Sequence, residues 1–270
     1  MSIKRKIIDI HSHVFPEKVA LRATENTANY YSLPHMGDGT PQGLLIGASE
    51  FENARFVISS AALRADRAKV GNTYLTTLAA EDKRFIPLAS FHPDMPFEEA
   101  EAELARAKSL GAKGIKLHPD FQNFYIDDAR AIEIYKVAAK LKLPVLFHVG
   151  DKKSEFSQPK RILTVMDKVP ELTIIAAHMC GYSVWDEAEK YLIGLPIYTE
   201  TSEALLGMDA KGLYRLIEKH GVDRVMFGSD YPLWTTKHAF DGVEQCALTE
   251  EEKDLIYYKT AEKVFGCGAE

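Results

Sequence analysis

The chain contains 270 residues, of which 46% are hydrophobic and 27% are charged, a composition typical of a globular protein with a large buried core. Its net charge of −6 comes from interspersed acidic and basic residues, without a block of Lys and Arg that would form a nucleic-acid-binding surface. We therefore expect a small-molecule substrate, and neither nucleic acid nor a membrane, as the partner.

Cysteine usage and the N-terminus predict an intracellular protein. The three cysteines, Cys180, Cys246 and Cys267, are odd in number and far apart, which argues against a disulfide framework and a thiolate metal site. Residues Met1 to Lys6 are basic, but no signal-peptide core follows them, and no apolar run is long enough to span a membrane. We expect a soluble, cytoplasmic protein, with a symmetric homodimer as the default oligomer.

Short apolar runs rich in β-branched residues predict eight strands separated by helical patterns. The pattern Pro96 to Ser109 starts with a proline and an acidic first turn, and Asp127 to Leu141 repeats apolar residues with the helical period. The predicted strands are Lys6 to Ile10, Arg55 to Ser60, Phe85 to Ser90, Gly114 to His118, Pro144 to Val149, Leu172 to Ala177, Pro196 to Thr201 and Arg224 to Gly228.

The regular alternation of strands and helices predicts an α/β fold with a parallel sheet. A single (β/α)8 TIM barrel over residues 1–270 fits this pattern better than an open doubly wound sheet, which is the alternative. The glycine-rich phosphate-binding turn that usually follows the first strand of such an open sheet is absent from the sequence.

Two segments outside the regular alternation of strands and helices also predict local structure. The long connection at 14–54, with its polar stretch Tyr30 to Gly43, predicts a lid-like insertion over the mouth of the barrel; a disordered surface insertion is the alternative. Near the C-terminus, Thr249 and the acidic residues after it predict the start of a helix that ends at Phe265, before Gly266. We expect this helix to complete the outer ring.

The first strand ends on two histidines, His11 and His13, spaced by one residue. Residues i and i+2 of a strand project from the same face, so both imidazoles can point to one metal ion. Alternatively, the pair only ends a strand, and by itself it does not decide between the two interpretations.

Three further polar residues lie at the carboxyl ends of other predicted strands. His148 is late in the fifth strand, His178 ends the sixth, and Asp230 follows the eighth. These strand ends converge at one mouth of a barrel, and four histidines with one aspartate form a ligand set suited to Zn²⁺ or a similar divalent ion. Each histidine taken alone is more often structural, and Asp230 could instead be a turn residue before Pro232.

Together these segments resemble the amidohydrolase superfamily, and more narrowly its branch with aminocarboxymuconate-semialdehyde decarboxylase and TIM-barrel metal-dependent hydrolases. The motifs that carry the resemblance are Asp-Ile-His11-Ser-His13, Gly114-Ile-Lys-Leu-His-Pro119, His148, Ala-Ala-His178 and Phe-Gly-Ser-Asp230-Tyr-Pro232. The resemblance implies that His11, His13, His148 and Asp230 bind the metal and that His178 activates water or orients the substrate.

The expected chemistry follows from this ligand set. An ion held by three neutral imidazoles and one carboxylate keeps a position for water, whose pKa it lowers to roughly 7. Asp230 would take the proton of that water and deliver it to the leaving group, and His178 could do the same. Zn²⁺ is the favoured ion and Mn²⁺ the alternative.

The number of metal ions depends on Lys116, which shares a strand face with His118. In dinuclear members of the superfamily a lysine of the fourth strand is carboxylated and bridges two metals, whereas the decarboxylase-like branch lacks this bridge. We favour one ion, with Lys116 and His118 binding substrate; an ion-paired barrel lysine is the alternative for Lys116. His92 is predicted to be structural, and His35, His220 and His238 carry no signal.

Three functions fit the sequence. The first is hydrolysis of a small ester, lactone or amide by a metal-activated water. The alternative is non-oxidative decarboxylation of a small unsaturated or aromatic carboxylic acid, which would need a cation in the mouth; Arg64, Lys152 and Arg161 are the candidates. The third, a catalytically silent ligand-binding barrel, is disfavoured by the intact ligand set.

Overall fold

A computed structural model describes residues 2–268 and contains a sheet of eight parallel strands that pair in sequence order from the first to the last. Hydrogen bonds from Ile10 N to Phe227 O (2.9 Å) and from His13 N to Tyr231 O (2.7 Å) connect the segment after the last strand to the first. The predicted single-domain TIM barrel is confirmed. The strands are β1 Ile3–His13, β2 Phe51–Ser59, β3 Phe85–Ala89, β4 Gly114–Leu117, β5 Val145–Phe147, β6 Ile174–Ala176, β7 Tyr198–Glu200 and β8 Val225–Met226.

Helices follow the strands, as the sequence predicts, and none of those described has the length and apolar character needed to cross a membrane. Short 3₁₀ turns occur at Ala65–Arg67, Ala204–Leu206 and Val222–Arg224. The α-helices are α1 Glu17–Tyr31, α2 Pro41–Gly47, α3 Ala68–Glu81, α4 Phe97–Ser109, α5 Pro119–Gln122, α6 Ala129–Lys140, α7 Lys160–Lys168, α8 Trp185–Tyr191, α9 Ala210–His220, α10 Thr236–Val243, α11 Glu250–Asp254 and α12 Thr260–Phe265.

A β-bulge in β1 directs the two histidines into the barrel. Ile8 and Ile10 belong to the apolar cluster inside the barrel, whereas Ile7 packs with the outer cluster against the helices. The pairing with β2 then shifts by one residue between Asp9 and Ser12. A bulge changes which side chains share a face, so His11 faces the interior although it directly follows Ile10. His13, two residues further on, shares that face.

The C-terminal segment differs in part from the predicted helix of the outer ring. The predicted N-cap is confirmed, because Thr249 and Glu252 form a capping box. A π-helical turn, Leu255–Lys259, joins α11 to α12. Ala261 and Phe265 of α12 pack with the interior cluster of the barrel. The face of α12 toward the strands is apolar. This helix therefore closes the lower opening of the barrel, in addition to extending the outer ring.

The connection after β1 folds into α1 and α2 and is shorter than the predicted 14–54, because β2 already starts at Phe51. Tyr231, which follows β8, is fully buried and anchors this connection. Its hydroxyl donates to Asp38 Oδ1 (2.9 Å) and lies 3.0 Å from the carbonyl oxygen of Thr40. Gly37 packs against the Tyr231 ring so closely that a Cβ atom would lie 2.2 Å from Cε2.

We expect Gly37→Ala to lower the free energy of unfolding by about 1–3 kcal/mol, because the added methyl group has no space beside Tyr231. Thermal and urea denaturation followed by circular dichroism measure the change. Gly71→Ala is the matched control: nothing lies within 4 Å of its added Cβ, and alanine is the better helix former within α3, so the same measurement should show unchanged or slightly higher stability. Equal stability of Gly37→Ala and wild type would contradict the packing described here.

Candidate metal centre and active-site cavity

Three of the predicted metal ligands meet at the carboxyl end of the barrel. His11 Nε2 lies 3.2 Å from His13 Nε2 and 3.2 Å from Asp230 Oδ1, and His13 Nε2 lies 3.3 Å from the same oxygen. The bulge of β1 supplies the two imidazoles. Asp230 reaches them from the loop after β8, where its backbone is left-handed, with φ of 58°. One atom of each side chain therefore faces a common point.

The spacing of these atoms fits a divalent ion. Two ligand atoms of a tetrahedral Zn²⁺ with bonds of about 2.0–2.1 Å lie about 3.3–3.4 Å apart. The three separations observed here are 3.2–3.3 Å, and imidazole nitrogen with carboxylate oxygen is a donor set that divalent transition metals bind. The residues present thus fit a metal ion at this point of the barrel.

Glu200, at the end of β7, fixes the tautomer of His11. Its Oε1 lies 3.0 Å from His11 Nδ1, so the ring donates its Nδ1 proton to the carboxylate and keeps the Nε2 lone pair toward His13 and Asp230. The same oxygen accepts from the backbone N–H of His178 (2.8 Å) and from Ser202 Oγ (2.8 Å). Oε2 accepts from Ser202 N (2.6 Å), so both oxygens of Glu200 are engaged.

His178 and His148 lie side by side next to this centre. His178 Nε2 is 3.0 Å from His148 Nδ1, and its Nδ1 is 2.8 Å from Ser202 Oγ. One nitrogen or oxygen atom each of His178, Glu203 and Asp230 also lies within 4.8 Å of the others. The structure does not place His148 in such a group, because its Nε2 faces the carbonyl oxygen of Gly150 at 2.9 Å. The role of His148 as a fourth ligand stays a prediction.

Burial sets the charge of the imidazoles. It lowers the pKa of His11, His13, His118 and His148 and lowers that of His178 to about 4. The rings are therefore neutral near pH 7 and keep a lone pair for a metal or a proton. Burial opposes ionisation of Asp230 as well, but its pKa is well below the usual value, because a proton taken up by this cluster goes to the imidazoles of His11, His13 and His178 before the carboxylate.

Lys116 lies deeper in the barrel than its predicted role in substrate binding requires. It is fully buried, and its Nζ is 2.6 Å from His11 Nε2. Burial lowers the pKa of Lys116 to about 8. Among the described residues that line the cavity beside these ligands, here called the main cavity, His118 is present and Lys116 is not. The reason is the alternation of β4, which points both side chains inward but sets Lys116 two residues closer to the middle of the barrel.

The main cavity opens beside the metal centre and has a volume of about 450 Å³, in the range of small-molecule sites. His13 and Asp230 belong to its wall, so the centre is accessible from it. The insertion predicted as a lid contributes one side of the cavity through α1. The lining residues of α1 are Ala23, Asn26, Thr27, Tyr30 and Tyr31.

Tyr31 joins the insertion to the barrel histidines. Its buried hydroxyl is 2.9 Å from His118 Nε2 and 3.3 Å from His148 Nε2. His118 stacks between Phe121 and His148, with ring centroids 3.9 Å and 4.1 Å away. This arrangement fixes the rings that form the cavity wall next to the metal centre.

Asp9 positions the loop that carries Asp230. Its Oδ1 accepts from the backbone N–H groups of Ser229 (3.0 Å) and His11 (3.2 Å), and its Oδ2 accepts from Thr236 Oγ1 (2.8 Å). Burial raises the pKa of Asp9 to about 6. The carboxyl group thus joins the bulge of β1 to the segment after β8, which brings the ligands of the two strands together.

Sequence reasoning missed several residues of this site. Glu200 and Ser202 could have been found by the criterion that identified His148 and Asp230, since Glu200 lies near the end of the predicted seventh strand and Ser202 directly follows that strand. No such signal marks Tyr31, which comes from a polar insertion. Asp120 follows the fourth strand beyond His118 and lines the cavity as well.

Comparison with known proteins places the chain in a family. A family model described as Amidohydrolase matches residues 8–267, nearly the whole chain. The chain belongs to the amidohydrolase family. The predicted resemblance is thereby confirmed, and the three-ligand centre agrees with the metal dependence of amidohydrolases. No curated protein sequence matches this amidohydrolase significantly.

Solved structures show the same fold. An uncharacterised TIM-barrel protein from Bordetella bronchiseptica has a TM-score of 0.77 at 17% identity, with 97% of this chain and 99% of that chain covered. A dihydroxybenzoic acid decarboxylase from a Polaromonas species, with bound manganese and the inhibitor 2-nitroresorcinol, has a TM-score of 0.74 at 19% identity and 98% coverage of both chains. A protein assigned as a 2-pyrone-4,6-dicarboxylic acid hydrolase from Pseudomonas putida has a TM-score of 0.69 at 17% identity, with 99% and 100% covered.

We expect protein purified without a chelator or a His-tag to contain about one equivalent of a divalent metal. His13→Ala should lose most of this metal, because it removes one of the three converging donors. Inductively coupled plasma mass spectrometry measures the content per chain. His35→Ala is the control, since His35 is exposed and its ring forms a hydrogen bond with the carbonyl oxygen of Gly37 in its own loop, and it should keep the wild-type content. Equal metal content in His13→Ala and wild type would contradict the centre.

Glu200→Gln should weaken metal binding about 10- to 100-fold without removing a ligand, because the amide no longer fixes the tautomer of His11 as a carboxylate does. Competition with a fluorescent chelator measures the dissociation constant. The matched control, Glu171→Gln, lies on the exposed surface and should bind metal like wild type. An unchanged dissociation constant for Glu200→Gln would show that this carboxylate does not support the centre.

Proposed function

We propose that this amidohydrolase is a metal-dependent hydrolase of a small ester, lactone or amide. The observation that carries the proposal is the combination of a three-donor centre with an adjoining cavity that has no Lys or Arg among its described lining residues. Such a cavity suits a neutral or cationic molecule better than a carboxylic acid.

His11, His13 and Asp230 would hold the ion, which we propose to be a single Zn²⁺. A bound divalent ion supplies Lewis acidity, which polarises a carbonyl group and makes a water molecule acidic near neutral pH. A second ion could be held by the group of His11, His178 and Glu200. Both oxygens of Glu200 already accept hydrogen bonds from protein donors, which supports one ion over two.

Side chains of the protein would transfer the protons. Asp230 is ionised, lines the cavity and can accept the proton of a water molecule next to the centre. His178 is neutral near pH 7, and Ser202 and Glu200 fix its position. It can accept or return a proton close to Asp230. These assignments agree with the roles predicted from the sequence.

The candidate cations for decarboxylation do not support that reaction. The guanidinium of Arg64 pairs with Asp66 at the surface. Arg161 pairs with Asp127. Neither side chain lines the main cavity, nor does exposed Lys152, in the part of the chain that the structure describes. Decarboxylation of a small unsaturated or aromatic acid remains the second candidate, supported by the decarboxylase fold neighbour and by the aromatic rings of Tyr31 and Phe121 in the cavity wall.

Asp230→Asn should keep the fold and lower the rate of hydrolysis by at least about 10²-fold, because the amide cannot accept the proton. A panel of aryl esters, lactones and anilides provides the assay, with metal content and circular dichroism measured in parallel. Metal-loaded Asp230→Asn with near wild-type kcat would contradict the role as base. Release of carbon dioxide from dihydroxybenzoic acids, with no hydrolysis across the panel, would favour the second candidate.

The cytoplasmic location and the homodimer remain part of the proposal. Their support is the reduced, buried state of all three cysteines and the general frequency of symmetric dimers.

A further inference from the structure

We infer that Asp120 selects substrates that carry a hydrogen-bond donor, such as a hydroxyl or a protonated amine, and disfavours carboxylates at that position. This inference names a substrate class and rests on the proposed function, since the cavity beside the metal centre is taken as the substrate site. It concerns binding, however, and can be tested without turnover.

The first observation is the environment of the carboxyl group. The Asp120 side chain is only 1% exposed to solvent, yet the residue belongs to the wall of the main cavity. Among the residues that the structure describes, neither Oδ1 nor Oδ2 has a hydrogen-bond partner. Buried polar groups in proteins are nearly always paired, and an unpaired one costs free energy. A hydrogen-bond donor on a ligand in this cavity would supply the partner that this buried carboxyl group lacks.

The surrounding groups do not satisfy this carboxyl group. Burial raises the pKa of Asp120, and the nearby hydroxyls of Ser154 and Ser157 offset this effect only in part. Neither hydroxyl is a hydrogen-bond partner of the carboxyl group among the described residues, and the Ser157 hydroxyl is itself unpaired. The closest basic nitrogen, His148 Nε2, is 3.6 Å from Oδ2 and is already directed at the carbonyl oxygen of Gly150. A hydrogen-bond donor of the substrate would provide the partner that the Asp120 carboxyl group lacks.

The charges around the cavity point to the same class of ligand. Asp151 lies close by, and its Oδ2 accepts from the hydroxyl of Tyr30, which lines the cavity next to Asp120. Asp230 also lines the cavity, but the proposed metal ion would balance its charge. Since no Lys or Arg among the described lining residues balances Asp120 and Asp151, a carboxylate of the substrate at this position would be repelled and a donor would be attracted.

Benzamides substituted at position 3 or 4 test the inference by isothermal titration calorimetry on the metal-loaded protein. Wild type should bind the aminomethyl and hydroxymethyl compounds about tenfold or more tightly than the methyl compound, and the carboxy compound most weakly. Asp120→Asn should reduce the preference to less than about threefold, because the neutral amide attracts the donor less strongly. Asp186→Asn, which neutralises an exposed aspartate at the start of α8, should keep the wild-type preference.

Stability gives a second readout. Asp120→Asn should unfold at the same temperature as wild type or higher, because it removes a buried charge that the folded protein leaves unpaired. A lower unfolding temperature would show that the carboxylate supports the fold, and this outcome would overturn the inference.

The binding outcomes are separate from those of the proposed function. Equal binding of donor and methyl probes, a preference that survives in Asp120→Asn, or no binding of donor probes to folded wild type would each overturn the inference. A donor preference that depends on Asp120, in a protein that hydrolyses none of the esters, lactones and anilides, would support the recognition role and contradict the hydrolase assignment.

Discussion

The site depends on one buried carboxylate. Glu200 has no exposed surface and accepts hydrogen bonds from His11, from the backbone of His178 and from both the hydroxyl and the backbone of Ser202. These residues come from three different strand ends, so the carboxylate of Glu200 connects the ends of β1, β6 and β7 at the mouth of the barrel. Burial opposes its ionisation, yet the histidines next to it outweigh that effect and hold its pKa at about 2. Gly228, on the neighbouring strand end, leaves the space it needs, since a Cβ there would lie 2.3 Å from Oε2.

Around this carboxylate the barrel separates apolar from polar layers. Ile8, Leu88, Leu146 and Met226 fill the interior, and Phe265 closes it from below. The polar layer begins above them. Because water is excluded from the apolar part, the histidines lose solvation and stay neutral, which is the state that a metal or a proton requires. The same burial makes every unpaired polar group costly, so unpaired atoms in the upper layer, such as those of Asp120, mark places where a ligand can bind.

The insertion after β1 completes the cavity. Its helix α1 brings Tyr31 onto His118 and His148, and the following loop is fastened to Tyr231 through Asp38. The proposed substrate site is therefore formed by two parts of the chain, the strand ends and an added helix. The barrel supplies the proposed metal ligands, and the helix supplies much of the shape that would discriminate between substrates.

Sequence patterns alone predicted the barrel, the order of its strands and the positions of His11, His13, His148, His178 and Asp230 at strand ends. This was predictable because the periodicity of apolar residues is local, and because parallel strands of a barrel all end at the same mouth. The predicted third to eighth strands run beyond the hydrogen-bonded ladders, because residues such as Phe227 stay buried after the pairing ends, whereas β1 and β2 pair over residues that precede the predicted strands. Which atoms meet could be read only from the folded chain. The bulge in β1, the closure by α12, the approach of Tyr31 and the unpaired carboxyl group of Asp120 depend on contacts between residues far apart in sequence. Local patterns hold no information about such distances.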